Sequence, residues 1–198
     1  MISAVILAAG KAQRMGQPKM ALSWGSTTVI GQVVRTLIEA GVPDILVVTG
    51  GYRQEVETAL QGLPVRMAYN SRYEEGEMVS SLQIGLVNLP ESAEAALVVL
   101  GDQPKIQLSV IAALVDLYRS GQPDLVVPSY QMRRGHPWLI ARRLWDEVLA
   151  WTPERTLRDL LQTHADEIVY LPVDTPSVLM DLDTPADYER ERPKEGKP

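Results

Sequence analysis

A short apolar run near the start of the chain is the strongest constraint on its fold. Ile2 to Leu7 is apolar apart from Ser3, and it is closed by small residues. A strand that is polar on neither face is covered on both, as in the central strands of a parallel α/β sheet. The run enters the stretch Leu7-Ala8-Ala9-Gly10-Lys11-Ala12-Gln13-Arg14-Met15-Gly16-Gln17-Pro18-Lys19-Met20-Ala21-Leu22, which holds two glycines, three cations and no acid. Glycine permits positive φ and close backbone approach, so its N–H groups can face a ligand. Lys11, Arg14 and Lys19 would give that ligand positive company. At the carboxyl end of a first strand, such a loop suits a polyphosphate. The alternative is a surface turn with solvated cations. A Walker loop is excluded, because it needs four residues between its glycines and a Lys directly after the second. Here five residues separate Gly10 and Gly16, and Lys19 follows three later. The dinucleotide fingerprint GxGxxG is absent as well.

Beyond the loop, strand and helix patterns alternate. Thr28–Ala40 reads as a helix with Val29, Val33, Val34, Leu37 and Ile38 on one face, closed by Gly41. Asp44–Thr49 reads as a second buried strand, Arg53–Leu60 as a short helix, Val65–Tyr69 as a third strand, and the region around Ser80–Leu89 as a helix. Ala95–Leu100 is the most clearly buried strand. Leu108–Tyr118 is an apolar-striped helix and Leu125–Pro128 a fifth strand. This order predicts one three-layer α/β/α domain over 1–190, with a mostly parallel, doubly wound (Rossmann-like) sheet. Further on, Arg133–Pro137 reads as a turn and Trp138–Ala141 as a strand. Leu144–Trp151 and Thr156–His164 read as helices, and Ile168–Val173 and Val178–Met180 as late strands. Thr184-Pro185-Ala186-Asp187 starts a helix, with Thr as N-cap, Pro first and an acid third. Residues 191–198 are charged and Pro-rich, and are expected to be disordered.

Composition removes several functions. The 198 residues contain no cysteine, so disulfides, thiolate metal sites and Cys nucleophiles are excluded. Two histidines, His136 and His164, argue against a His-rich zinc site. No apolar run approaches the roughly 20 residues of a membrane span, and the N-terminal run lacks the layout of a signal peptide. A soluble, cytoplasmic protein with no membrane partner is the expectation. The net charge of −6 argues against nucleic acid. Residues 1–38 hold four cations and no acid, whereas the rest holds 15 cations against 25 acids. A local positive field on an acidic body suits a small anionic ligand.

Several other polar stations stand out. Asp102 follows Gly101 at the end of the Ala95–Leu100 run, the sheet edge where the first loop opens. It is either a turn former or a magnesium ligand, since Mg²⁺ takes one or two carboxylates together with substrate phosphates. Met180-Asp181-Leu182-Asp183-Thr184-Pro185 is a second acidic station. As a strand it would place Asp181 and Asp183 on one face. Gly76–Leu82 opens a helix with Ser80 and Ser81, which either cap it or meet a ligand. Arg133-Arg134-Gly135-His136-Pro137 is a basic turn or an anion site, since arginine pairs bidentately with phosphate.

The first loop resembles the signature L-A-(A/G)-G-x-S-x-R-M-G-x-x-K of the nucleotidyltransferases that make molybdopterin dinucleotides, within the wider glycosyltransferase-A-like superfamily. Ala12 departs from it, standing where Ser or Thr is usual. Gly101–Pro104 resembles the family's G-D-x-P, and Asp181–Asp187 its D-(I/L)-D-T-P-x-D. Arg134–Pro137 resembles the R-G-H-P of the cytidylyl branch, which also has L-A-A-G, as at Leu7–Gly10. The resemblance implies Mg²⁺ on Asp102 and Asp181, with Asp183 either a further contact or structural. It implies catalysis by Lys19, Arg14 and Asp102. Nucleotide contacts would come from Leu7, Ala8, Ala9, Gly10, Lys11, Arg14, Gly16, Lys19, Asn70, Ser80 and Ser81. The acceptor would be held by Arg134, Gly135 and His136. The implied substrates are CTP and molybdopterin, and the implied protein partner is a molybdoenzyme or its maturation factor. GTP as donor, a sugar or alcohol phosphate as acceptor, and a non-catalytic nucleotide-binding accessory role remain alternatives.

Overall fold

The computed structural model describes residues 1–12, 14–74, 78–152 and 154–194. β1 (Ile2–Ala8) leads through the basic loop to a 3₁₀ turn at Lys19–Ala21. A small hairpin follows, β2 (Ser23–Trp24) with β3 (Thr27–Thr28), and then α1 (Val29–Glu39). Next come β4 (Ile45–Thr49), α2 (Arg53–Ala59), β5 (Arg66–Tyr69), α3 (Met78–Val87), β6 (Ala95–Leu100), α4 (Leu108–Gly121) and β7 (Leu125–Tyr130). The last part runs through β8 (Arg133–Arg134), β9 (Trp138–Ala141), α5 (Trp145–Leu149), α6 (Leu157–Thr163), β10 (Ile168–Pro172), a 3₁₀ turn at Pro176–Leu179 and α7 (Pro185–Glu191).

The main sheet runs β10-β7-β9-β6-β1-β4-β5, with β8 paired to β7. β1 lies parallel between β4 and β6, while β9 runs antiparallel to β6 and β7. All seven residues of β1 are buried. Ile2, Ala4, Ile6 and Ala8 face one core with residues of α1 and α4, whereas Val5 and Leu7 face another with residues of α3, α5 and α6. The apolar run is therefore a strand covered on both sides, and the expected α/β fold with a mostly parallel sheet is the one found. The chain leaves β1 toward β4 on one side and β6 on the other. That reversal opens a crevice at the carboxyl ends of these strands.

Local chemistry sets the exceptions. The run 178–180 is not a strand: Pro176 starts a 3₁₀ turn, and the Thr175 hydroxyl accepts the Ser177 N–H at 3.2 Å. Asp181 and Asp183 therefore share no strand face. Arg133 and Arg134, expected in a turn, pair with Tyr130 and Ser129 as β8. The expected helix 144–151 is α-helical only over Trp145–Leu149, after a 3₁₀ turn. The Thr184 cap is present as a full capping box with Asp187. Of the tail expected to be disordered, Glu191 still belongs to α7 and pairs with Lys105 at 2.5 Å, while 195–198 lie outside the described residues. Gln13, Gly76 and Glu77 also lie outside them. Among the described residues no helix is long and apolar enough to cross a membrane.

Candidate active site

The loop after β1 is held from below. The Ala12 carbonyl accepts N–H groups from Met15 at 2.9 Å and Gly16 at 3.1 Å, and buried Met15 anchors the turn. Gly16 sits at φ +65°, and Ala12, without glycine's freedom, at φ +46°. The start of the loop presses on the end of β4: a Cβ at Gly50 would lie 2.5 Å from the Ala9 carbonyl oxygen, so only glycine fits there. The Gly51 N–H donates to that same oxygen at 3.1 Å.

The 3₁₀ turn after the loop aims Lys19 across the crevice. Its Nζ lies 2.5 Å from Asp102 Oδ2 and 3.3 Å from Asp183 Oδ1, with the Lys19 and Asp102 side chains only 12% and 15% exposed. Burial works against the charged lysine, but Asp102 and Asp183 outweigh it and hold its pKa above the ordinary value. Burial pushes the Asp102 carboxyl up, and Asp181 acts in the same direction against the pull of Lys19. Arg14 Nη1 reaches Asp183 Oδ2 at 3.2 Å, and Lys11 Nζ reaches Glu74 at 2.9 Å while lying over the Tyr73 ring. The second acidic station docks on the first: Leu182 N–H donates to the Asp102 carbonyl at 3.1 Å, and Gln103 Nε2 donates to Asp181 Oδ1 at 3.0 Å.

These groups surround a cleft of about 640 Å³ lined by Leu7, Ala9, Gly10, Lys19, Ser81 and Asp102, among others. At Met78, Leu100 and Asp181 it meets a second cleft of about 770 Å³. Arg133, Arg134, His136, Trp138 and residues of α6 line that second space. Gly135 permits tight docking there, because a Cβ would lie 2.5 Å from the Val178 carbonyl oxygen, which also accepts the His136 N–H at 2.9 Å. The His136 ring stacks on Trp138 with centroids 4.5 Å apart. Burial pushes its pKa down to about 4, against the Val98 carbonyl, so the ring is neutral near pH 7.

Residues 4–169 match the model of the MobA-like NTP transferase domain. The chain belongs to that family. Over 134 residues it is 34% identical to the bifunctional protein GlmU of Syntrophomonas wolfei, covering 67% of this chain and 29% of that protein. It thus spans under a third of the length of these curated relatives. Rv0371c of Mycobacterium tuberculosis H37Rv superposes with a TM-score of 0.84 at 25% identity, covering 96% of both chains. The same protein in complex with manganese gives 0.77 at 26%, again over 96% of both. A nucleotidyl transferase from Methanothermobacter gives 0.83 at 25%, covering 97% of this chain and 96% of that one.

Within this NTP transferase fold, most of the residues singled out in the sequence gather around the two clefts. Leu7, Ala9, Gly10, Lys19, Ser81, Asp102 and Asp181 line the first, and Arg134, Gly135 and His136 line the second. Lys11 and Gly16 border a shallower recess of about 460 Å³ beside the first cleft. Others serve the framework. Ala8 belongs to the core beneath the loop, and the Gly16 N–H is committed to Ala12. Asn70 is fully buried and donates to Ser80 and Ser81 Oγ, each at 3.0 Å, tying the end of β5 to α3. Sequence reasoning missed Tyr73, Glu74, Gln103 and Arg158. Only Gln103 carried a signal, as the residue between Asp102 and Pro104.

Proposed function

We propose that the chain is a nucleotidyltransferase that moves CMP from CTP to the phosphate of molybdopterin and releases pyrophosphate. The observation that carries this reading is the meeting of two clefts at Asp181, with Lys19 bridging Asp102 and Asp183 beside that junction. One cleft takes the triphosphate and the other the acceptor, so their phosphates meet where the clefts join. Membership of the NTP transferase family supports the reaction class. The L-A-A-G start of the loop and the R-G-H-P segment favour the cytidylyl branch and its acceptor.

The reaction asks the protein for position and charge. An acceptor phosphate oxygen attacks the α-phosphorus, forming a new P–O bond. The bond to the β-phosphate bridge oxygen breaks, and its electron pair leaves with pyrophosphate. A phosphate monoester is already anionic near pH 7, so no general base is needed. Lys19, Arg14 and Lys11 exchange their carboxylate partners for phosphate oxygens. Leu7, Ala9 and Ser81 border the nucleotide, with Asn70 holding Ser81 in place.

The donor set suits magnesium. Asp102 and Asp181 come from separate segments to one cleft, and among the described residues no group of three or more acidic or histidine side chains could cage a metal by itself. Mg²⁺ characteristically takes one or two carboxylates and completes its shell with substrate phosphates and water. Bound by Asp102 and Asp181, it would offset phosphate charge and polarise the α-phosphate. The manganese complex of Rv0371c supports use of a divalent ion.

Pyrophosphate release is to be measured side by side with CTP, GTP, ATP and UTP, with and without the pterin phosphate. We expect turnover with CTP and the pterin together. A clear preference for GTP refutes the base assignment. Turnover only with a sugar phosphate refutes the acceptor. Inactivity with every donor leaves the accessory role.

A further inference from the structure

The second cleft carries its charge differently from the first. Lys11, Arg14 and Lys19 each meet a carboxylate of the chain. Among the described residues, Arg133 on β8 and Arg158 on α6 have no ion-pair or hydrogen-bond partner for their side chains. Arg134 is held by a phenol, with Nε 2.9 Å from Tyr170 Oη and the guanidinium over that ring. Asp181 is the only carboxylate on the described lining, at the end shared with the first cleft, and its Oδ1 already accepts from Gln103. The apolar surface a ligand can reach there comes from Met78, Leu100 and Leu179, with Trp138, Leu157, Leu161 and Val178 buried behind it.

We propose that Arg158, with Arg133, is the phosphate-binding pair of this cleft, that the apolar wall beside them favours an organic phosphate with an apolar body over a sugar phosphate, and that no divalent metal is needed for either. The inference rests on reading the second cleft as the acceptor site. Guanidinium groups bind phosphate bidentately and stay charged at any relevant pH. No carboxylate has to be displaced from Arg133 or Arg158, so no metal is needed to offset one. The apolar wall decides the rest of the ligand. Sugar hydroxyls placed against Met78, Leu100 and Leu179 would lose water without gaining partners, whereas an aromatic or aliphatic body gains burial. Nothing in the sequence marks Arg158, because its place on the wall depends on how α6 packs.

The test uses the full chain in EDTA and three probes in calorimetry: 1-naphthyl phosphate, 1-naphthol and glucose 1-phosphate. The parent should bind naphthyl phosphate at least about tenfold more tightly than either of the others, as expected for hydrogen bonds to a charged group joined to apolar burial. Arg158→Gln should weaken naphthyl phosphate by about tenfold and leave naphthol and Mg²⁺–CTP unchanged, with Arg158→Lys in between. Circular dichroism checks that each variant is folded. The proposal is overturned if glucose 1-phosphate binds as well, if naphthyl phosphate needs Mg²⁺, or if Arg158→Gln binds like the parent. Probe binding as described, without pyrophosphate release from any nucleotide, would remove the transferase reading and leave this one standing.

Discussion

Around the first cleft and the recess beside it, each loop cation already has a counter-anion from its own chain: Glu74 for Lys11, Asp183 for Arg14, and Asp102 with Asp183 for Lys19. In the second, Arg133 and Arg158 stand without one among the described residues. The two clefts share a wall at Met78, Leu100 and Asp181, yet they ask different things of a ligand. An anion entering the first must displace carboxylates, which then face its phosphates. A divalent ion held by Asp102 and Asp181, as proposed, would offset that conflict. An anion entering the second displaces only water. Under the function proposed above, the contrast would make nucleotide binding metal-dependent and acceptor binding not.

Asp102 is where the contrast breaks most severely. Asp102→Asn removes one proposed metal ligand and leaves Lys19 with Asp183. Metal-dependent pyrophosphate release should fall by about 100-fold or more, as for other losses of a dominant electrostatic contribution. Binding of a phosphate ester in the second cleft should be unaffected. Near-parent turnover in a folded variant would show that Asp102 only shapes the turn.

Glu74 sharpens the comparison with a smaller effect. Its bridge to Lys11 is exposed, and solvent screens such pairs so that each contributes little. Glu74→Gln frees Lys11 from its internal anion. CTP affinity in EDTA should rise about two- to fivefold at low salt, and the gain should fade at 1 M salt, where screening acts within about 3 Å. Glu57→Gln, which breaks the Arg53 pair on α2, is the control for net charge. An equal gain in both variants would reduce Glu74 to general charge.

The sequence shows the core of this fold more clearly than its electrostatics. β6 is found over the whole predicted run Ala95–Leu100, and β4 starts one residue after its predicted start, because an apolar run needs only burial on both faces. The Thr184 cap was equally legible, since its partner lies three residues away. The strand expected at 178–180 failed because Pro176 and the Thr175 hydroxyl impose a local turn that hydrophobicity does not register. Pairing across the crevice was not legible. Lys19 and Asp183 lie 164 positions apart, and their approach depends on the docking of Leu182 on Asp102. Asn70 shows the reverse error: a polar residue at the right sheet edge, but spent inside the framework. Glycines carried more than they signalled, since Gly50 and Gly135 are needed for close approach to Ala9 and Val178.

The smallest expected effect lies behind the second cleft alone. His164 caps the C-terminus of α6, a wall of that cleft, and joins it to α5: Nε2 lies 2.7 Å from Glu147 and Nδ1 2.8 Å from Glu167. Burial lowers its pKa, but the two glutamates outweigh burial and raise it above the ordinary 6.5. A histidine whose folded pKa exceeds its unfolded one binds more protons in the native state, so its stabilisation is complete below the unfolded value. It is lost as pH climbs through the raised native one. Both glutamates are partly exposed, which holds the contribution to about 1 kcal/mol or less, or roughly 2–4 °C in Tm for a chain of this size. His164→Gln should therefore melt a few degrees below the parent at pH 6, and the gap should close progressively above pH 6.5. Mg²⁺–CTP affinity should not follow that trend, because α6 does not border the first cleft. A Tm gap independent of pH would mean that His164 acts by packing, and a parallel drift in CTP affinity would mean that the two clefts are coupled through α6.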